Sequence, residues 1–262
     1  MKIIKVPFSG GGLGHGNGSN LAPDVIVKQL ENIFSNESGI ECKFEVDSDL
    51  INLDENNIAE SHKRIQSKSE KISECSVYLG GDHSITCPIV KGFSKNNSDF
   101  QFIVFDAHPD LMDDFDPPTQ EDYLRVLIEQ GIIKPENIFI FGIRNWDKEE
   151  LNYLLDKGVM YLSCKDIFSQ GFNKSVEKLL DWIKKDIYLS IDIDVVDPVE
   201  AIGTGYIEHG GLSSRELIFV IQKLVETNKI KMIDLVEVNP EKDIKDMTSI
   251  LAAKILAELY VD

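Results

Sequence analysis

The chain of 262 residues is poor in cysteine: Cys42, Cys75, Cys87 and Cys164 stand far apart, with no C-x-x-C pair. That spacing excludes a zinc knuckle and a disulfide framework, and it suits a reducing compartment. No stretch approaches the ~18 uninterrupted apolar residues of a bilayer span. The opening MKIIKVPFSGGG carries an apolar run too short for a secretory signal, so a cytoplasmic protein is expected. Positive charge is scarce, because 27 Lys and Arg face 45 Asp and Glu for a net of -18. A surface of that sign repels phosphate backbones and anionic lipid, which argues against nucleic-acid and membrane partners and favours cations. Linkers rich in Pro, Ser or Gly, low-complexity tracts and internal repeats are also missing. With 42% apolar and 27% charged residues, the whole chain, 1–262, reads as a single globular domain.

What the sequence has is alternation. Apolar, β-branched runs at Lys2–Pro7, Glu41–Val46, Ser76–Leu79, Gln101–Phe105, Asn137–Gly142, Val159–Leu162, Ile187–Ile193 and Lys231–Val238 read as eight strands. Amphipathic segments near 23–35, 55–74, 85–95, 119–131, 147–157, 173–185, 213–228 and 246–260 read as helices between them. The spacing Ser213-x-x-Glu216 marks one helix start, since hydroxyl and carboxylate each meet a backbone N–H there. Runs such as FIVF and IFIFGI do not alternate, which implies burial on both faces of a parallel sheet, hence an α/β fold with helices on both sides.

Open parallel sheets bind ligands at the carboxyl ends of their strands. Four segments at such ends carry chemistry: GGDHS (80–84), DAHPD (106–110), DIDVVD (192–197) and EVNPEKD (237–243). In extended D-x-H-x-D, alternate side chains point the same way, which groups Asp106, His108 and Asp110; Asp192 and Asp194 follow the same rule. His83 adds a sixth ligand. So many acids at buried strand ends require compensating positive charge, which a pair of divalent ions supplies. Carboxylate-rich donors suit Mn²⁺, with Zn²⁺, Fe²⁺ or Co²⁺ as alternatives. One D-x-D alone is more often a cap or turn acid; co-occurrence at three strand ends carries the metal reading.

The ordered set GGDHS, DAHPD, SIDIDVVDP, GGLSSRE and EVNP resembles the ureohydrolase family of arginases, agmatinases, guanidinobutyrases and formimidoylglutamases, from first strand to last helix. The resemblance implies a single three-layer α/β/α domain with an eight-stranded, mainly parallel sheet and two Mn²⁺ ions. By position, His83, Asp106, Asp110 and Asp192 would hold one ion and His108, Asp106, Asp192 and Asp194 the other. It further implies that water activated between the cations attacks a guanidinium carbon, releasing urea and an amine. Glu237 would face the guanidinium, and Asp110 would pass a proton to the departing amine. A homo-oligomer, trimer or hexamer, is the family habit.

The chain departs from the pattern in LMDDFDPPTQEDYLR (111–125), where a shuttle histidine in an H-G element is missing. Gln120, Glu121 and Asp122 stand near that place. Glutamine cannot carry a proton, whereas Glu121 or Asp122 could if burial raised its pKa. A stretch that grips an α-carboxylate is absent as well, and Asp113, Asp114 and Asp116 would repel such a group. A small cationic guanidino substrate, agmatine-like rather than arginine, is expected, with Asp147 and Glu150 facing its tail. His15, in the glycine-rich loop 10–20, is expected at the cavity edge; that loop lacks the order needed to cradle phosphate. His209 is expected at the mouth as a substitute proton carrier, and His62 on the surface. Competing readings are an arginase or other guanidino or formimino hydrolase, a two-metal phosphoesterase, a deacetylase of acylated amines, and an inactive member with a structural or regulatory role. The order of the motifs and the absence of G-N-H-[DE] oppose the phosphoesterase, and no histidine dyad supports the deacetylase.

Overall fold

Strand residues buried on both faces leave a chain only one solution, a sheet sandwiched between helices. The computed structural model describes residues 1–47, 49, 51–113 and 115–260. Its strands are β1 (Lys2–Val6), β2 (Glu45–Val46), β3 (Ser76–Gly80), β4 (Phe100–Phe105), β5 (Ile138–Ile143), β6 (Met160–Ser163), β7 (Asp186–Asp192) and β8 (Ile230–Val236). They form one all-parallel sheet in the order β2-β1-β3-β8-β7-β4-β5-β6. The helices among the described residues are α1 (Ala22–Leu30), α2 (Ile58–Ser69), α3 (Thr86–Ser94), α4 (Tyr123–Glu129), α5 (Lys148–Lys157), α6 (Cys164–Gln170), α7 (Phe172–Trp182), α8 (Ser214–Glu226) and α9 (Met247–Leu259).

Alternate residues of the strands inside the edge strand β2 feed two separate cores. Ile103, Phe105, Leu189 and Ile191 pack with residues of α1, α6, α7, α8 and α9. Phe102, Val104, Tyr188 and Met232 pack with α2, α3, α4 and α5 on the other face. Each fully buried large side chain contributes roughly 1.5–3 kcal/mol relative to exposure. The three-layer arrangement expected from the sequence is therefore the observed one, and the sheet is parallel throughout.

Three local expectations change. The run 41–46 shortens to Glu45–Val46, because this strand is an exposed sheet edge. Helix α6 was not anticipated, although Ser163 and Asp166 form a capping box at its start. His62 is a correction: it is only 8% exposed, on an inward stripe of α2 with Ser61, Ile65 and Ser69. Its ring meets the Phe8 ring edge-on at 5.8 Å, and its Nε2 lies 3.3 Å from Ser84 Oγ.

The loop after β1 crosses the end of β3 at contact distance. Asp82 N donates to Phe8 O at 2.9 Å, and a methyl group added at Gly81 would lie 1.6 Å from that same oxygen. Only glycine fits there. Asp82, fully buried, accepts from Gly11 N at 2.8 Å, from Ser84 N at 2.9 Å and from the Ser84 hydroxyl, and burial pushes its carboxyl up to about 6.

Candidate functional site

The chemistry-bearing side chains come from four neighbouring strands at the sheet centre. β3 leads through Gly81 and Asp82 to His83, β4 to Asp106, His108 and Asp110, β7 ends on Asp192 before Asp194, and Glu237 follows β8. His83 Nδ1 lies 3.2 Å from Asp106 Oδ2, 3.1 Å from Asp110 Oδ2 and 3.3 Å from Asp192 Oδ2. His108 Nδ1 lies 3.0 Å from Asp194 Oδ2 and 3.6 Å from Asp106 Oδ1. Two groups of donor atoms, His83–Asp106–Asp110 and Asp106–His108–Asp194, are each close enough to hold one metal ion, and Asp106 belongs to both.

Main-chain amides hold these carboxylates in place. Asp106 Oδ1 accepts from His108 N at 2.6 Å, Asp192 Oδ1 from Asp194 N at 2.8 Å, and Asp194 Oδ1 from Ala107 N at 3.1 Å. Asp110 and Glu237 have left-handed backbone, with φ of 51° and 64°. Such conformations cost on the order of 1–3 kcal/mol each and persist where surrounding structure imposes them.

The site attracts positive charge. Burial raises Asp110, and the Asp106 charge raises it further. Asp192 is likewise raised by burial and by Asp194 and Asp106. Burial works against charged imidazoles, yet the surroundings of His83, Tyr123 with Asp106, Asp110 and Asp192, move its pKa upward. Asp194 and Asp106 do the same for His108. Burial would raise Asp106, but His108 and His83 hold it below the usual carboxylate range. Buried His83 Nδ1 and Asp106 Oδ2 have no hydrogen-bond partner. Orphaned atoms facing one another across about 3 Å suit a small divalent ion between them.

Above this cluster is a cavity whose walls include Glu121, Trp146, Asp147, Tyr206 and Glu237, and no Lys or Arg among the described residues that line it. Glu237 is 5% exposed; its Oε1 accepts from His83 N at 2.7 Å, and burial, then the charges of Asp192 and Asp82, raise its pKa. Glu121 Oε1 accepts from Tyr206 OH at 2.8 Å. Asp147 caps α5 and is exposed to the cavity. Exposed His15, expected at the cavity edge, does not itself line the cavity; it stacks on Tyr206, which does, with ring centroids 4.7 Å apart.

Several expectations need correction. His209 is exposed and does not line the cavity; Asp197, which its charge influences, accepts from Gly210 N and Gly211 N and pins this turn elsewhere. Asp122 is taken up by its own loop, accepting from Phe115 N and from the Thr119 amide and hydroxyl, which leaves Glu121 as the acid beside the cavity. Glu150 does line the cavity, but its two oxygens are spent on Leu111 N and Asp147 N. Asp113 pairs with Arg125 at 2.8 Å, and neither it nor Asp116 lines the cavity; Asp114 lies outside the described residues. The negative wall is thus made by Glu121, Asp147 and Glu237, which the sequence did place at the site, and not by the loop acids Asp113 and Asp116.

Sequence reasoning missed Glu208, whose Oε1 stands 3.7 Å from His108 Nε2, and Arg144, which donates to the carbonyls of Asp194, Val195 and Glu208 and ties the loops after β5 and β7 together. It also missed Ser190 and Asp234. Their signal was present: a polar residue at mid-strand in the apolar runs IYLSI and MIDLV.

Comparison with known proteins agrees with this geometry. The Arginase family model matches residues 1–261. The arginase of Staphylococcus aureus (strain COL) is 34% identical over 199 residues, covering 70% of this chain and 66% of that protein. The agmatinase of Bacillus subtilis (strain 168) is 34% identical over 186 residues, covering 70% of this chain and 62% of that one. The match thus spans slightly under two thirds of the length of these relatives. The crystal structure of formimidoylglutamase from Bacillus subtilis superposes with a TM-score of 0.92 at 27% identity, over 98% of this chain and 85% of that chain. Fold, strand-end motifs and whole-length sequence match agree: the chain belongs to the arginase family.

Proposed function

We propose that this protein is a metal-dependent hydrolase that cleaves a linear C–N bond of a guanidino compound with a cationic tail, agmatine-like rather than arginine, to give urea and an amine. The observation that carries the tail preference is the cavity wall, where Glu121, Asp147 and Glu237 stand and, among the described residues, no Lys or Arg is present to receive a carboxylate. His83, Asp106, Asp110 and Asp192 would hold one ion and His108, Asp106, Asp192 and Asp194 the other. Four carboxylates and two imidazoles favour Mn²⁺ over thiolate-seeking ions. Divalent ions there supply an activated water and neutralise the buried acids.

The chain's own groups then do the following. Glu237, anchored through one oxygen by His83 N–H, offers the other to the planar guanidinium, which matches a carboxylate in shape and charge. Asp110 accepts a proton during attack and returns it to the departing amine. Glu121, steadied by the Tyr206 hydroxyl, is the second acid within the cavity that can carry a proton, in place of the missing histidine. Asp147 faces the cationic tail, with His15 supporting Tyr206 at the rim. On family grounds the reading extends to a cytoplasmic homo-oligomer, a trimer or hexamer, which light scattering tests.

The deciding experiment incubates Mn²⁺-loaded protein with agmatine, arginine, guanidinobutyrate, N-formimidoylglutamate and a model phosphoester, and assays urea, formamide and phosphate. Urea released fastest from agmatine is the expected result. A preference for arginine or for the dicarboxylate N-formimidoylglutamate overturns the tail assignment; release of phosphate in place of urea, or of no product, overturns the reading as a hydrolase of guanidino C–N bonds.

A further inference from the structure

Asp234 is a carboxylate in the middle of a buried sheet, fully shielded from solvent and outside the substrate cavity. On β8 it is the register partner of Ser190 on β7, and both side chains lie on the sheet face that carries α3. Three hydroxyls donate to it: Ser190 Oγ at 2.6 Å, Tyr188 OH at 2.5 Å and Thr86 Oγ1 at 3.0 Å. A buried carboxylate with three dedicated donors is a costly arrangement that an apolar residue would replace at lower cost if packing were its only purpose.

The hydrogen count shows what it achieves. Ser190 has one hydroxyl hydrogen, and it goes to Asp234. Toward His83 Nε2, 2.9 Å away, Ser190 Oγ can therefore only accept. His83 Nε2 must bear hydrogen, and that leaves Nδ1 as the nitrogen facing Asp106, Asp110 and Asp192 at 3.1–3.3 Å. Whether Nδ1 holds a proton or an ion, the opposite nitrogen stays committed. His108 has no such backing: the carboxylate behind its Nε2 is Glu208, 3.7 Å away and partly exposed.

We propose that Asp234, acting through Ser190, is a positioning residue that fixes the tautomer and ring orientation of His83, so that Nδ1 is presented to one of the two ions and not the other. The inference rests on the metal reading above. Hydrogen bonds of this kind behind a ligand histidine typically change metal affinity ~10–100-fold.

The test strips full-length protein with chelator, titrates Mn²⁺ calorimetrically, and records imidazole ¹⁵N spectra of the diamagnetic Zn²⁺-loaded form. Wild type is expected to bind two ions and to show a hydrogen-bonded His83 Nε2–H. Ser190→Ala is expected to weaken one ion ~10–100-fold, leave the other unchanged, and release Nε2–H to solvent exchange. Ser190→Thr keeps the hydroxyl and is expected to retain both ions. Asp234→Asn, whose amide can donate back to Ser190, is expected to resemble Ser190→Ala; circular dichroism checks that each variant is folded. Wild-type affinities and spectrum in Ser190→Ala overturn the positioning role. Failure of the wild type to bind any divalent ion overturns the metal reading itself, and this inference with it.

Discussion

Lowering the pH should unfold this protein partly through one buried histidine that takes no part in the site. His62 is 8% exposed, packed against Phe8, and close enough to Lys91 to feel its charge. Burial first, and Lys91 second, lower its pKa from 6.5 to about 4. The unfolded chain therefore binds more protons than the folded one between those two values, so stability falls as pH falls through that window. At ~1.4 kcal/mol per pH unit, the loss is about 2 kcal/mol at pH 5 and approaches roughly 3 kcal/mol below pH 4. His62→Gln keeps a polar group toward Ser84 and cannot titrate. Urea unfolding of both proteins, followed by circular dichroism from pH 8 to pH 4.5, isolates the contribution as the difference between their pH slopes. Above pH 7 the two curves should run parallel, and below 6.5 the wild type should lose stability faster. Identical slopes throughout would refute the assignment of a neutral, buried His62.

Other outcomes are as specific. Glu237→Gln removes the charge facing the guanidinium while leaving an oxygen for His83 N–H, and kcat/KM should fall ~10–100-fold, the equivalent of about 1.5–3 kcal/mol, with the melting curve retained; unchanged kinetics would reject its role. Gly81→Ala forces a methyl against Phe8 O and should cost more than ~3 kcal/mol or yield insoluble protein; near-normal thermal unfolding would contradict the described crossing. Chelation should lower Tm and Mn²⁺ should restore it, since an ion at a hundred times its Kd stabilises by ~2.7 kcal/mol; a chelator-insensitive Tm speaks against bound metal. Asp147→Asn, at an exposed position, should raise KM for a cationic substrate by less than about fivefold and leave kcat alone.

Much of the architecture could be read before any coordinates. Strands such as Phe100–Phe105 are buried at every position, and a run apolar on both faces announces itself without knowledge of its neighbours. The six acids and histidines were legible as a group because they cluster just beyond strand ends, although turns and not extended spacing bring them together: Asp194 lies in a 3-10 turn and Asp110 has a φ of 51°. Ser190 and Asp234 were not, since each acquires meaning only when β8 inserts between β3 and β7. Glu121 and Asp122 show the limit most clearly: adjacent acids of equal promise, separated only by a fold that turns Asp122 onto Thr119 N and Glu121 toward Tyr206. Helix α6 was not legible because its seven residues bury only Ile167, which leaves no apolar stripe to repeat.

The strand order has a consequence for synthesis on the ribosome. β2-β1-β3 and β4-β5-β6 are two half-sheets encoded early, and the strands that join them, β7 and β8, emerge last. β3 waits roughly 150 residues for its partner β8, a delay of roughly 8–30 s at common translation speeds. Until then two bare edges face each other across a gap, the kind of template on which nascent chains stick together. His83 and the DAHPD acids sit on opposite banks of that gap, so a chain released before β7 and β8 are made cannot draw the six-residue cluster together.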